Sequence, residues 1–382
     1  MPPPHPPPED LSAYRLPDDE ALRIFNEEIL PAELPPPPPT DDNTASDDGG
    51  DDARPLALLV VGQTGAGKTI LSQALLAALQ RCRRRDASAS GSASAGPVAH
   101  LIADTYKTYH PQYTRLMLST PHLASPATGP DARRWLALAA RHVARRRLDV
   151  LLESACRHPD DFVQLARLFR EDTDADTDAD AGRHYRVEVV VLAVPAPLSR
   201  LGILLRFYEK LPEGQSRNLP VRLTPRKVHD DSYQGLLHAA AFLDGDGDGD
   251  GNGDAESGSG SSNRPPRRRR PVADQVLVVR RGNLVVARRP DATGVAEALR
   301  VERERPLTPA EMKTALDDVQ KLSTHEDAKE QLDEVRAMLQ PLLNAPSPGG
   351  AAGHFPELLP LQFATDGGTT DDGQNVLRLG KV

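Results

Sequence analysis

Residues 56–61 read Leu-Ala-Leu-Leu-Val-Val, with no polar residue among them. An uninterrupted apolar run of this length predicts a short strand covered on both faces. Immediately after it, Ile70, Leu71, Leu75, Leu76 and Leu79 fall on one side of a helix over 70–79. Further apolar runs at 98–103, 149–152 and 187–194 predict a second, third and fourth strand. Helices are expected over 18–30, 131–147, 160–170, 197–210, 225–243, 309–322 and 325–342. The one over 131–147 opens at Pro130-Asp131 and ends in arginines, as the helix dipole favours. Residues 274–279 and 284–287 predict a hairpin or paired edge around Arg281-Gly282-Asn283. Strands alternating with helices predict an α/β fold, a mainly parallel sheet with helices on both faces.

The segment joining the first strand to its helix is Gly62-Gln63-Thr64-Gly65-Ala66-Gly67-Lys68-Thr69. It fits G-x-x-x-x-G-K-[ST], the phosphate-binding loop of ATP- and GTP-using proteins. Glycines let successive backbone N–H groups turn inward around a phosphate. Lys68 would reach the β- and γ-phosphates, and Thr69 would offer its hydroxyl to Mg²⁺. A merely glycine-rich turn would not need the order strand, loop, helix, in which the helix N-terminus adds its own attraction for anions. The expected fold is therefore of the P-loop NTPase type. Its ligands should gather beyond the C-terminal strand ends, where Asp104 and Glu153 also fall.

Composition changes the picture of how much chain folds. The 36 prolines and 28 glycines among 382 residues are clustered. The expected organisation is a disordered Pro-rich tail (1–10), a helical segment (11–33) and a disordered acidic and Pro-rich linker (34–54). A P-loop kinase-like domain (55–322) follows, with low-complexity insertions at 87–96, 172–182 and 244–270. A C-terminal helix (323–345) and a flexible tail (346–382) complete it. The inserted segments carry too little apolar surface to offset ordering entropy. The net charge of −9 is concentrated in them and gives no basic footprint for nucleic acid. Two cysteines, Cys82 and Cys156, make no disulfide framework and suggest a reducing compartment. With no membrane-length apolar run and no visible secretory signal, a cytoplasmic location is the default expectation.

Phosphoryl transfer to a hydroxyl needs a carboxylate near the acceptor, which suits Asp104 as general base. The alternative is a strand-end carboxylate holding Mg²⁺ through water. Glu153 could hold substrate hydroxyls, or cap its strand, or ligate metal-bound water. Arg206 and Arg222 could neutralise charge on the transferring group, although each taken alone reads as a surface arginine.

An ordered set of residues resembles the zeta toxin family. It runs from Gly62–Thr69 through Asp104-Thr105-Tyr106-Lys107 with His110-Pro111, Thr128-Gly129-Pro130, and Leu152-Glu153 with Arg157. It continues through Leu192-Ala193-Val194-Pro195 with Ser199 and Leu201-Gly202, Arg206, and Arg222-x-Thr224-Pro225-x-x-x-His229-Asp230. Tyr14-Arg15-Leu16 with Ile24-Phe25 and Ile29 resembles the family's leading segment, so the likeness covers roughly 11–320. Characterised members are ATP-dependent kinases that phosphorylate the 3′-hydroxyl of the amino sugar in UDP-N-acetylglucosamine. The resemblance implies that Gly62, Gln63, Thr64, Gly65, Ala66, Gly67, Lys68 and Thr69 bind ATP and that Thr69 meets Mg²⁺. It makes Asp104 the base, with Lys68, Arg206 and Arg222 stabilising the phosphoryl group. It places Glu153 and Arg157 at a sugar-nucleotide acceptor. Lys107 and His110 match the motif with no role attached. An antitoxin-like protein is the partner such a family brings, and no part of this chain supplies one.

The chain departs from the family's pattern at Ile102, Ala137 and Ser154-Ala155-Cys156, all on the acceptor side. Kinase chemistry is thereby better supported than acceptor identity. A nucleotide-binding regulatory or interaction protein with a decayed acceptor site is the alternative reading. A regulatory GTPase is disfavoured, since no Asn-Lys-x-Asp sequence occurs. The Asp-Gly alternation from Asp244 to Asp250 superficially resembles a calcium loop, but either twelve-residue register lacks the closing Glu, placing Ala255 or Ser257 there. Arg267–Arg270 reads as a solvated charge run, Cys156 as a structural thiol and Trp135 as core.

Overall fold

A computed structural model describes residues 10–35, 54–89, 97–170, 185–216, 221–245, 271–289, 294–344, 355–364, 373 and 375–380. Most of the expected N-terminal tail and linker lies outside these residues. So do the bulk of the three insertions and the Arg267–Arg270 run.

The elements follow one another as α1 (Asp18–Ile24), a π-helical turn (Phe25–Ile29), α2 (Leu30–Glu33), β1 (Leu56–Val61), α3 (Lys68–Ala89), β2 (Val98–Ile102) and α4 (Ala103–Tyr106). A 3₁₀ turn (Lys107–Tyr109), α5 (Tyr113–Ser119), α6 (Pro121–Arg145), β3 (Asp149–Ser154), α7 (Pro159–Arg170), β4 (Arg186–Leu192), α8 (Ala196–Ser216) and α9 (Arg226–Asp244) follow. The chain continues through β5 (Gln275–Arg280), β6 (Leu284–Arg289), α10 (Val295–Glu304), α11 (Pro309–Leu322), α12 (Lys329–Asn344), β7 (Leu359–Pro360), β8 (Gln362–Ala364) and β9 (Val376–Arg378).

The main sheet has the order β2-β3-β1-β4-β5-β6-β7. Its first five strands are parallel, and β6 and β7 add antiparallel. Every residue of β1 is buried, and the strand's period of two divides it between two cores. Ala57, Leu59 and Val61 pack with α1, α6, α7, α9 and α10, around Trp135 and Phe162. Leu56, Leu58 and Val60 pack with α3, α8, α11 and α12. This is the mainly parallel α/β arrangement with helices on both faces that the apolar runs predict.

Four features differ from the sequence pattern. Helix α6 begins at Pro121 rather than near 131. Proline is well placed at its first turn, and Pro126 and Pro130 are carried inside. Helix α10 has too short an apolar pattern to stand out. It is fixed by Asp244, whose carboxylate accepts from Val295 N and Ala296 N, so the first residue of the Asp-Gly run caps a helix. Part of the expected tail is ordered strand. Leu377 and Leu379 are buried in the second core, and Gln275, Arg186 and Arg83 donate to the carbonyls of Val376, Arg378 and Leu379. Helix α3 likewise runs on to Ala89, into the segment read as an insertion.

Candidate active site

The strand registers bring the candidate residues to one edge. Val60 pairs with Glu153, and Ile102 pairs with the same residue from the other side. The C-terminal ends of β1, β2 and β3 therefore lie level, with Asp104 just beyond β2 and Gly62 just beyond β1. Gly62 N donates to Ser154 O at 3.2 Å, tying the loop to β3.

Gly65 and Gly67 have φ of 83° and 97°, the region where a side chain is strained. A Cβ on Gly65 would meet Ser199 O at 2.0 Å, whereas one on Gly67 would meet nothing within 4 Å. Gly65 is pressed onto α8 and Gly67 faces an open mouth, a shape suited to a phosphate chain. Helix α3 starts at Lys68 with no acidic residue in its first turn, leaving its N–H groups and dipole for an anion. Lys68 Nζ donates to Gly62 O at 2.6 Å and Gln63 O at 3.2 Å. Burial pushes its pKa down, with Glu153, Cys156 and Asp104 opposing and Arg206 adding to the fall. Thr69 is exposed beside it. These residues fit ATP with Mg²⁺, and among the described residues no cluster of His, Cys, Asp or Glu offers a separate metal cage.

A hydrogen-bonded frame braces the loop from behind. Gln63 Nε2 donates to Val194 O at 2.6 Å and to Ser199 Oγ at 3.3 Å. Ser199 Oγ lies 2.8 Å from His229 Nε2, and His229 Nδ1 lies 3.0 Å from Asp230 Oδ1. Thr64 N donates to Ser232 Oγ at 3.1 Å. Arg281, in the β5–β6 turn, donates to Gly65 O at 3.0 Å and Leu198 O at 2.8 Å. Sequence reasoning attached no role to Arg281 or Ser232. Their positions in a turn and mid-helix carry no local signal.

Across the cleft, Asp104 Oδ1 accepts from Lys107 Nζ at 2.5 Å, and Lys107 also donates to Ser125 Oγ at 2.7 Å. Protein around the cleft raises the Asp104 carboxyl by desolvation. The Lys107 charge and hydrogen bond, with Lys68 and Arg206, outweigh this and hold it below the ordinary carboxylate value. Its side chain is 83% exposed, so water screens these attractions and keeps their net pull modest. Arg206 is exposed and donates to Thr224 Oγ1 at 3.3 Å. Arg222 is half-buried, and its Nε has no hydrogen-bond partner among the described residues. Burial lowers its pKa, while Asp104 and Tyr113 oppose the fall.

Glu153 is buried and lies 3.1 Å from His100 Nε2, a partner the sequence did not single out. Arg157 Nε stands 3.6 Å from Asp231 Oδ2 and has no hydrogen-bond partner among the described residues. Cys156 takes φ of 51°, and burial pushes its thiol up to about 11, leaving it protonated at neutral pH. His110 belongs to the scaffold. It accepts from Gln112 N through Nδ1 and therefore donates from Nε2 to Tyr14 O at 3.0 Å, clasping the leading segment.

The zeta toxin family model matches residues 42–250, the stretch that carries the loop, Asp104, Glu153, Arg206 and Arg222. The chain belongs to the zeta toxin family. No curated protein matches it. Among solved structures it is similar to a protein of the PezAT chromosomal toxin-antitoxin system of the human pathogen Streptococcus pneumoniae. Identity there is 16%, with 87% of this chain and 99% of that chain covered and a TM-score of 0.48. It is also similar to a candidate kinase from Chloroflexus aurantiacus, at 16% identity over 47% of this chain and 80% of that one, with a TM-score of 0.29. This zeta toxin family chain is thus a nucleotide-binding P-loop protein of kinase-like fold. None of its described helices is long and apolar enough to cross a membrane.

Proposed function

We propose that this protein transfers the γ-phosphate of ATP to a hydroxyl of a small molecule, with a UDP-N-acetyl sugar as first candidate acceptor. One observation supports the reading above the rest. Asp104, Glu153 and Arg206 all lie within electrostatic reach of Lys68 at the phosphate loop, and Asp104 and Arg206 of each other. Bound ATP–Mg²⁺ supplies the phosphoryl group. The loop residues Gly62–Thr69 hold its phosphates, and the Thr69 hydroxyl is the Mg²⁺ contact. Asp104 takes the proton of the acceptor hydroxyl through Oδ2, the oxygen that Lys107 leaves free. Lys68, Arg206 and Arg222 counter negative charge in the cleft. Glu153 and Arg157 orient the acceptor. Family membership also makes an antitoxin-like protein a candidate partner.

A nucleotide-binding protein without acceptor chemistry is the second reading. The left-handed backbone at Cys156, in the altered loop after Glu153, favours it. Asp104→Asn separates the two. For a kinase, the phosphorylated product formed from ATP and UDP-N-acetylglucosamine should appear about 10²–10⁴-fold more slowly, with ATP affinity nearly unchanged. Weaker nucleotide binding, recovered by excess Mg²⁺, would make Asp104 a metal ligand instead. A wild type that binds ATP but phosphorylates neither this sugar nucleotide nor any hydroxyl compound in a metabolite extract would leave the second reading.

A further inference from the structure

Lys107 belongs to the motif that follows Asp104 and hydrogen-bonds to its Oδ1. Helix α4 passes into the 3₁₀ turn Lys107–Tyr109 at this residue, which brings it over Asp104 three positions earlier. The two partners are unequal. The Lys107 side chain is 18% exposed and the Asp104 side chain 83%. The lysine is the anchored member, because its ammonium also donates to Ser125 Oγ, and Ser125 is buried on α6. An ordinary surface ion pair leaves both chains free to part. Here α6 holds the ammonium in place and the carboxylate rests on it.

We propose that Lys107 is the positioning residue of the base: it pins Asp104 Oδ1, presents Oδ2 to the acceptor hydroxyl and keeps the carboxyl ionised. This rests on the reading of Asp104 as base. The other groups facing the carboxyl are Lys68 at the start of α3, Arg206 on α8, Arg222 before α9 and Tyr113 on α5. Among the described residues, Lys107 is the one of these that hydrogen-bonds to it. The three cations favour the charged form from a distance, while Lys107 also fixes which oxygen is free.

The test is a carboxyl titration followed by ¹³C NMR on aspartate-labelled full-length protein, with Asp104→Asn identifying the resonance. It is paired with the pH dependence of kcat on ATP and UDP-N-acetylglucosamine. An opposite charge at this distance lowers a carboxyl by about 1–3 units where water is excluded, and by up to about 1 unit where the carboxylate is as exposed as Asp104. Lys107→Met should therefore raise the Asp104 midpoint by about that much and move the acid limb of kcat up with it. KM for the sugar nucleotide should stay within about twofold. Lys107→Arg should restore the midpoint. The NMR measurement needs no acceptor, so it stands apart from the choice of substrate. An Asp104 midpoint equal in wild type and Lys107→Met overturns the inference. A midpoint that moves while the kcat limb stays fixed overturns Asp104 as the base and leaves the ion pair intact. Should Lys107→Met fail to fold, Ser125→Ala loosens the same anchor. A smaller upward midpoint shift supports the proposal, and none overturns it.

Discussion

Behind the phosphate loop, Gln63, Ser199 and His229 are buried side chains joined by hydrogen bonds, Ser232 holds Thr64 N beside them, and the charged members, Asp230 and Arg281, lie at the ends of the frame. Across the cleft, Asp104, Lys107, Arg206 and Arg222 are charged and near water, and Arg157 and Arg222 each keep an Nε with no hydrogen-bond partner among the described residues. The difference follows from what each wall must do. A polyphosphate chain is the same in every turnover, so a rigid hydrogen-bond frame can be set in advance. Charges that meet an acceptor and a developing negative charge must remain available, and burying them fully would cost several kcal/mol each. Substitutions in the frame should therefore alter stability and ATP affinity, and those in the charged wall should alter the chemical step.

Arg222→Ala gives the largest expected separation. Removing one charge-stabilising donor from a transfer site costs about 10²–10³-fold in kcat. The melting temperature should hold, because Arg222 Nε gives up no hydrogen bond. Parallel thermal melts and kcat measurements check this. A variant that melts earlier but keeps kcat would place Arg222 in the frame and break the contrast.

Arg281→Met tests the frame from a residue far along the chain. The guanidinium joins Gly65 O to Leu198 O, and burial lowers its pKa while Asp318 and Glu311 oppose. Without it the loop loses one of its braces, and KM for ATP should rise by about tenfold, equivalent to about 1.4 kcal/mol. KM for the acceptor should not change. Equal rises in both constants would show that the two walls move as one body.

The two walls were unequally legible in the sequence. The loop announces itself, because Gly65 and Gly67 are required by their φ values and Lys68 by its reach, all within a few residues. The strand ends carrying Asp104 and Glu153 follow from buried parallel strands reading as continuous apolar runs. The frame was hidden. Gln63 meets Ser199, and Thr64 meets Ser232, across more than a hundred residues, and no spacing rule connects them. His110 shows the opposite limit. It sits in the motif after Asp104, yet it is buried and holds Tyr14. The strand around Leu377 was missed because its apolar run, Val376-Leu377, is two residues long and its partners lie elsewhere in the chain.

His229→Gln probes the frame with the smallest expected effect and a sign that can be worked out. Asp230 can only accept, so His229 Nδ1 carries the proton and Nε2 accepts from the Ser199 hydroxyl. Glutamine cannot span both partners in a ring's geometry. Leaving one buried group unpaired costs about 1–3 kcal/mol at neutral pH. Burial, the largest cause, lowers the His229 pKa, with Asp230 opposing and Arg200 and Arg303 adding to the fall. A histidine lowered in the folded state binds its proton more readily when unfolded. Its contribution is therefore complete above the ordinary histidine value of about 6.5 and is lost as pH falls toward the folded value. His142 and His158 are lowered in the same direction, so the variant should retain part of the acid slope. Urea unfolding at pH 5, 6, 7 and 8 should show wild type and His229→Gln furthest apart at pH 7–8 and converging at pH 5. Curves that stay parallel would mean that the His229 pKa is the same folded and unfolded, and a gap that widens toward pH 5 would mean that the folded frame holds the His229 proton. That charge would join the Arg281 guanidinium in bracing the phosphate loop, and the contrast between the two walls would be one of burial alone.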